Sequence, residues 1–127
     1  FVAQFGNTDT IVANQWKKFK VADEPVIAGN KKGTLSFARA GKDTRDLDLF
    51  INLKDNNRLD TVSSNGVIGF PTFGNVIRGM DIVEKLFDGY AGETMKDDSI
   101  FNSTKLMRER YPKLDRILKA KIIKKSK

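Results

Sequence analysis

The sequence predicts a mainly β domain: a barrel or strongly curved sheet that carries two short helices. Three observations lead there. Short segments rich in strand formers recur along the chain. Helix signals appear in two places. The joints between hold Gly, Pro, Asn and Asp, and no repeat or long linker interrupts them.

Phe1 to Phe5 alternates weakly but is rich in strand formers. Residues 7–33 read as an extended loop region, broken by Asp23-Glu24-Pro25 and by Gly29-Asn30-Lys31-Lys32-Gly33. Thr34 to Ala40 is a strand. Leu35 and Phe37 point one way, and Ser36, Ala38 and Ala40 the other. Leu49 to Leu53 is a further strand. Its Leu49, Ile51 and Leu53 share an apolar, core-like face, and Phe50 and Asn52 share the opposite one. Residues 54–72 read as turns and loop, marked by Asp55-Asn56-Asn57 and Asn65-Gly66. Phe73 to Ile77 is again a strand. Met80 to Phe87 is a short helix, with Ile82, Val83, Leu86 and Phe87 on one face and Gly89 as its stop. A second helix runs from about Asn102 to Tyr111, capped by Asn102 or Ser103 and ended by Pro112. Asp115 to Lys125 closes the chain as a strand, with Leu118, Ala120 and Ile122 facing in.

A chain of 127 residues makes one small domain. Its 39% hydrophobic and 31% charged residues are those of a soluble globular protein. No run approaches the ~18–20 apolar residues of a membrane span. There is no cysteine and no histidine. Disulfides, thiolate metal sites, Ser-His-Asp and Cys-His schemes and His–metal chemistry are therefore excluded within this sequence. No metal or cofactor is expected. The net charge of +7 is uneven: residues 103–127 hold ten Lys or Arg against two Asp or Glu. That basic end suits an acidic partner, nucleic acid or an anionic membrane. A solvated strand and tail is the preferred reading, because no aromatics interleave the charges to stack bases. The first residue is Phe, so a preceding or removed segment is expected, and any targeting signal would lie there. The compartment is left open.

The functional signal is densest in residues 34–60. Thr34-Leu35-Ser36-Phe37-Ala38-Arg39-Ala40-Gly41 and Leu49-Phe50-Ile51-Asn52-Leu53 are two apolar strands joined by a polar loop, with Leu59-Asp60 beyond. The small residues Ala38, Ala40 and Gly41 leave the backbone open to a ligand. Together with Phe1-Val2-Ala3-Gln4-Phe5-Gly6, this points to a groove for an extended peptide rather than to acid–base chemistry. These segments, with Asp23-Glu24-Pro25-Val26, Phe73-Gly74-Asn75-Val76 and Gly79-Met80-Asp81-Ile82-Val83-Glu84, resemble the cyclophilin family of peptidyl-prolyl cis–trans isomerases in identity and order. The resemblance implies an eight-stranded closed β-barrel. It also implies that the family's N-terminal strands and first helix are lacking here, so that residues 1–127 are one N-terminally incomplete cyclophilin-like domain whose strand edges need other neighbours.

Isomerising an X–Pro bond requires no nucleophile. The barrier is ~18–20 kcal/mol and arises from amide resonance. A catalyst grips the proline ring, holds the flanking backbone and donates to the prolyl nitrogen, binding the twisted amide best. The resemblance maps Phe1, Val2, Phe50, Leu59 and Phe70 onto the apolar proline pocket. It maps Gln4 onto the side chain that hydrogen-bonds substrate backbone, and Ala38, Arg39 and Ala40 onto the edge along which the peptide lies. Plain core packing is the competing account of Phe1, Phe50, Leu59 and Phe70. The pocket is preferred for Phe50, and for Phe70 the two stand level.

The departures matter as well. The family's catalytic Arg falls before Phe1, and Arg39 and Arg45 are on other elements. Its loss would cost ~10²–10³ in rate by analogy with other electrostatic donors. Arg58 stands where many members carry Trp or another large apolar residue beside the pocket, which counts against tight binding of cyclosporin-type cyclic peptides. The resemblance thus implies an isomerase acting on proline-containing protein segments in folding. The alternative is a catalytically impaired cyclophilin-like structural or docking subunit of a larger assembly. A nucleic-acid-binding domain has only charge behind it. Gly29 to Gly33 reads as a turn, Asn102-Ser103-Thr104 as a helix cap rather than a glycan acceptor, and Asp43, Asp46 and Asp48 as a solvated loop rather than a calcium loop.

Overall fold

The computed structural model describes residues 1–125. Its centre is an antiparallel sheet of four strands in the order β1-β3-β2-β6, formed by β1 (Val2–Phe5), β2 (Thr34–Phe37), β3 (Leu49–Asn52) and β6 (Thr72–Asn75). Among the described residues this sheet does not close, so the eight-stranded barrel implied by the resemblance is absent from them. These four strands overlap the predicted ones: β1, β2 and β3 are shorter at their ends, and β6 starts one residue earlier, at Thr72, and stops two residues sooner.

Alternation along the strands is as read, but burial is the reverse of the expectation. Ser36, Phe50 and Asn52 are buried, whereas Leu35, Phe37, Leu49 and Ile51 are only half-buried. The cause is what covers each face. Residues 28–30, 56–60 and 69–71 fold back over the Phe50 side. Ser36 Oγ donates to Pro71 O at 2.7 Å, and Phe70 N to Leu59 O at 2.8 Å. The Leu49 side is less completely covered, and Leu35, Phe37, Leu49 and Ile51 keep part of their surface in solvent.

That covered face holds a chain of buried amides. Asn56 Nδ2 donates to Asn52 Oδ1 at 2.7 Å, and Asn52 Nδ2 to Asn30 Oδ1 at 3.0 Å and Thr34 Oγ1 at 2.9 Å. Asn30 Nδ2 then donates to Asp60 Oδ1 at 2.7 Å and to Phe70 O at 2.9 Å. Buried polar groups are tolerable only when paired in this way.

Other elements differ from the reading. Residues 7–33 contain a helix, α1 (Thr10–Trp16), extended by a 3₁₀ turn at Lys17–Phe19. Its β-branched start, Thr10-Ile11-Val12, hides it from propensity. Residues 54–72 contain a 3₁₀ turn at Asn57–Asp60 and a small hairpin, β4 (Ser63–Ser64) with β5 (Val67–Ile68). Asn65 and Gly66 both have positive φ there, the geometry that a two-residue Asn-Gly hairpin turn requires. The helix predicted over Met80 to Phe87 is reduced to α2 (Met80–Val83), followed by single turns. A further short helix, α3 (Glu93–Lys96), precedes α4 (Thr104–Arg110). The Ser103 hydroxyl caps α4, accepting from Leu106 N at 3.4 Å. There are thus four short helices among the described residues rather than two. The predicted strand over Asp115 to Lys125 does not form, and Leu118 and Ile122 are exposed. A strand needs a neighbour for its amides, and no described strand lies beside it. Residues 126 and 127 of the basic end lie outside the described residues.

Candidate functional site

A cavity of about 520 Å3 opens on the Phe50 side of the sheet. Phe50 and Leu59, both buried, form its floor, and Phe70 packs edge-to-face on Phe50 with ring centroids 5.9 Å apart. Phe1, Val2 and Gln4 supply one wall from β1 and the residue before it. Ala38, Arg39 and Ala40 supply the opposite rim. All nine residues that the sequence reading selected therefore surround one cavity.

Sheet register explains the first wall. Gln4 is the cross-strand partner of Phe50 on β3, and Ser36 is its partner on the other side. Cross-strand partners share a face, so the Gln4 amide stands beside the Phe50 ring. Phe1 is tied down through its carbonyl, which accepts from Leu53 N at 3.1 Å and from Asn56 Nδ2 at 3.0 Å. The buried amide chain thus joins Phe1 on one side of the cavity to Phe70 on the other.

Phe70 needs the glycine before it. Gly69 has φ +70°, and a Cβ there would meet Asp60 O at 2.4 Å. Only glycine lets the chain pass so close and turn Phe70 inward. Arg39 holds the same wall. Its guanidinium lies 4.5 Å from the centroid of the Phe70 ring and donates through Nη2 to Gly69 O. Burial lowers its pKa. The expected peptide edge is partly used up internally. Ala38 N donates to Asp48 O at 2.8 Å, Ala40 N donates to Thr44 Oγ1 at 3.0 Å, and Ala40 O accepts from the Asn65 amide.

Arg45 is almost fully buried and fixes the loop behind the rim. It pairs with Glu24 Oε1 at 3.1 Å, donates to Ala22 O, and lies 5.6 Å from the Phe37 ring centroid. Arg58 is exposed and does not line the cavity.

Sequence reasoning missed Lys17, Lys20, Thr44, Asp46, Asp48 and Met95, which also line the cavity. Asp46 and Asp48 had a legible signal, since both share strand parity with Phe50. Lys17, Lys20 and Met95 come from helical segments or their flanks that the pattern did not reveal. Burial, and then the neighbouring Asp46 charge, raise the pKa of Asp48. Among the described residues no group of His, Cys, Asp or Glu is arranged to hold a metal ion. The chemistry on offer is an apolar floor with the neutral Gln4 amide at the lip, bordered by the charged Lys17, Lys20, Arg39, Asp46 and Asp48.

The family model for cyclophilin type peptidyl-prolyl cis-trans isomerase/CLD matches residues 1–108. The chain belongs to the cyclophilin family. It is also similar to a peptidyl-prolyl cis-trans isomerase of Acinetobacter baylyi, 41% identical over 58 residues. That match takes in 45% of this chain and 30% of the relative's length. A cyclophilin built mainly on a sheet with few short helices accords with the fold described. No helix among the described residues is long and apolar enough to cross a membrane.

Proposed function

We propose that this cyclophilin-family chain binds proline-containing segments of proteins in the cavity around Phe50 and promotes cis–trans isomerisation of the X–Pro bond, a step in protein folding. The observation that carries the proposal is the pairing of an open apolar cavity, floored by Phe50 and Leu59 and walled by Phe70, with the Gln4 amide at its edge. A proline ring is apolar and compact. Burying it in the cavity restrains one side of the imide. The Gln4 amide then hydrogen-bonds the neighbouring peptide backbone, so that rotation occurs about a held axis. No proton moves and no bond breaks, which suits a chain without histidine or cysteine.

The remaining requirement is a donor to the prolyl nitrogen. Among the described residues the guanidinium lining the cavity is that of Arg39, and it is committed to Gly69 O and the Phe70 ring, which leaves the Lys17 and Lys20 ammonium groups as the cationic donors there. This favours, as a second reading, a proline-binding docking subunit with weak or no catalysis. Two measurements on the same chain separate the two: peptide binding by titration, and the isomerisation rate of a short X–Pro peptide. Binding with acceleration supports the isomerase. Binding alone supports the docking subunit. No binding of any proline peptide refutes both.

A further inference from the structure

Gln4 borders two cavities. Beyond the one around Phe50 lies a second, of about 460 Å3, between the end of β1, α3, α4 and residues 114–117. Most of its surface is apolar, with Phe5, Ile100, Met107, Leu114 and Ile117 contributing, and Arg108, Asp115 and Arg116 add charges of both signs. Gln4, Asp48 and Met95 border both cavities and form the ridge between them. The two cavities are therefore neighbours, and an extended peptide held at Gln4 reaches both.

The walls of the second cavity are fixed. Asn7 Nδ2 donates to Ile100 O at 3.0 Å, and Asn7 Oδ1 accepts from Asn102 N at 2.8 Å. Asp9 Oδ1 accepts from Thr104 N at 3.1 Å and from its hydroxyl at 2.7 Å. These bonds fasten the start of α4 to the loop after β1. Beside the lining residue Asp115, whose Oδ2 accepts from Phe87 N at 2.7 Å, the Phe87 and Tyr111 rings each pack edge-to-face on Tyr90 with centroids 5.1 Å apart. A cavity held open in advance gives apolar burial to binding instead of spending it on rearrangement.

We propose that this second cavity receives a large apolar side chain flanking the proline of the same peptide. The preferred substrates are then proline segments with Leu, Met or Phe beside the proline. This rests on the proline-binding reading of the first cavity. Continuity across the Gln4 ridge identifies the occupant as part of the same peptide. The lining selects an apolar side chain. The charges around the cavity, Asp48 and Asp115 against Arg108 and Arg116, are of both signs and favour neither an acidic nor a basic neighbour, so the apolar surface decides.

The three methionines provide the test. Met95 is on the ridge, Met107 lines only the second cavity, and Met80 lines neither. The full chain carrying labelled methionine methyl groups is titrated with an alanine peptide holding one proline. It is then titrated with versions in which Leu is scanned through the positions on both sides. The alanine peptide is expected to shift Met95 alone. In one register the Leu peptide shifts Met107 as well, leaves Met80 still, and binds about tenfold more tightly. Replacing the exposed Ile117 with Asp should erase that advantage and leave the alanine peptide's affinity unchanged. An alanine peptide that moves Met95, with every Leu peptide binding no better and Met107 silent, overturns this inference while sparing the proline site. Silence of Met95 with all peptides removes the proline site and this inference together.

Discussion

Gln4 and Phe50 are direct partners across the β1–β3 pair, and their side chains stand on the same face of the sheet. The two differ in depth: Phe50 is 4% exposed, whereas Gln4 is open to solvent. One residue therefore belongs both to the core and to the cavity, and the other belongs to the cavity alone. Substitutions should separate the two roles. Phe50→Ala is expected to cost about 3–5 kcal/mol of stability as well as peptide binding. Gln4→Ala should leave stability within about 0.5 kcal/mol and weaken peptide affinity roughly three- to tenfold, the worth of one hydrogen bond. Urea unfolding alongside peptide titration measures both. A Gln4→Ala protein that binds as tightly as the parent would remove Gln4 from the site.

Arg39 lies against Phe70 rather than along a peptide. The sequence reading set it on the edge that carries substrate, and the structure turns its guanidinium onto the Phe70 ring and Gly69 O. Arg39→Ala should release that wall, costing about 1–2 kcal/mol in stability and raising KM or Kd for proline peptides while leaving kcat little changed. Arg39→Lys keeps the charge but loses the planar stack, and should recover only part of the loss. Full recovery by lysine would mean that charge alone matters at this position.

The buried amide chain makes a third expectation. Asn52 is fully buried, and its side chain joins Asn56, Asn30 and Thr34. Asn52→Leu strands Asn30 Oδ1 and one Asn56 donor in the interior, at about 1–3 kcal/mol for each buried unsatisfied group. Phe1 and Phe70 hang from the two ends of the chain, so peptide affinity should fall as well. Equilibrium denaturation of Asn52→Leu showing a loss under 1 kcal/mol (roughly the lower bound for a single such group) would mean that the network rearranges around the gap.

How much of this was legible follows from which signals are local. Strand alternation set Phe50 apart from Leu49 and Ile51, and the family resemblance supplied Gln4 and the other residues that surround the same cavity. Burial was not legible. Leu49 and Ile51 look like core and are half-buried, whereas Asn52 and Ser36 look solvated and are buried. Composition reports a residue's preference, but the loops decide which face is covered. Helix α1 was missed because Thr10-Ile11-Val12 are poor helix formers whose place is fixed by contacts far along the chain, among them Thr10 Oγ1 to Asn102 O at 3.1 Å. The closing strand was overread because alternating Leu118, Ala120 and Ile122 promise a face, and a face without a pairing edge beside it does not make a strand.

Asp97 sets an acid limit on the α4 end of the molecule. Hydrogen bonds from Ser99, then Arg110 and Tyr111, hold its carboxyl at a pKa of about 2, below the usual carboxylate range. A depressed folded pKa means that the stabilisation is present above the unfolded value and is lost as pH falls through the folded one. Stability should therefore drop between about pH 4 and pH 2, and Asp97→Asn should flatten that part of the profile. An unchanged slope in acid unfolding of the variant would assign the limit to other carboxylates.

Asp48 carries the opposite sign. Burial and the Asp46 charge raise its pKa, so folding favours its protonated form. The favourable contribution is then present below the unfolded pKa and is lost as pH rises through the folded one. At neutral pH the ionised carboxylate on the ridge weakens the fold. Asp48→Asn should melt higher than the parent near neutral pH, and the gap should narrow as pH falls through the carboxylate range. Thermal melts at about pH 7 and about pH 3 compare the two conditions. A variant that gains equally at both would owe its stability to packing or hydrogen bonding rather than to relief of the buried charge.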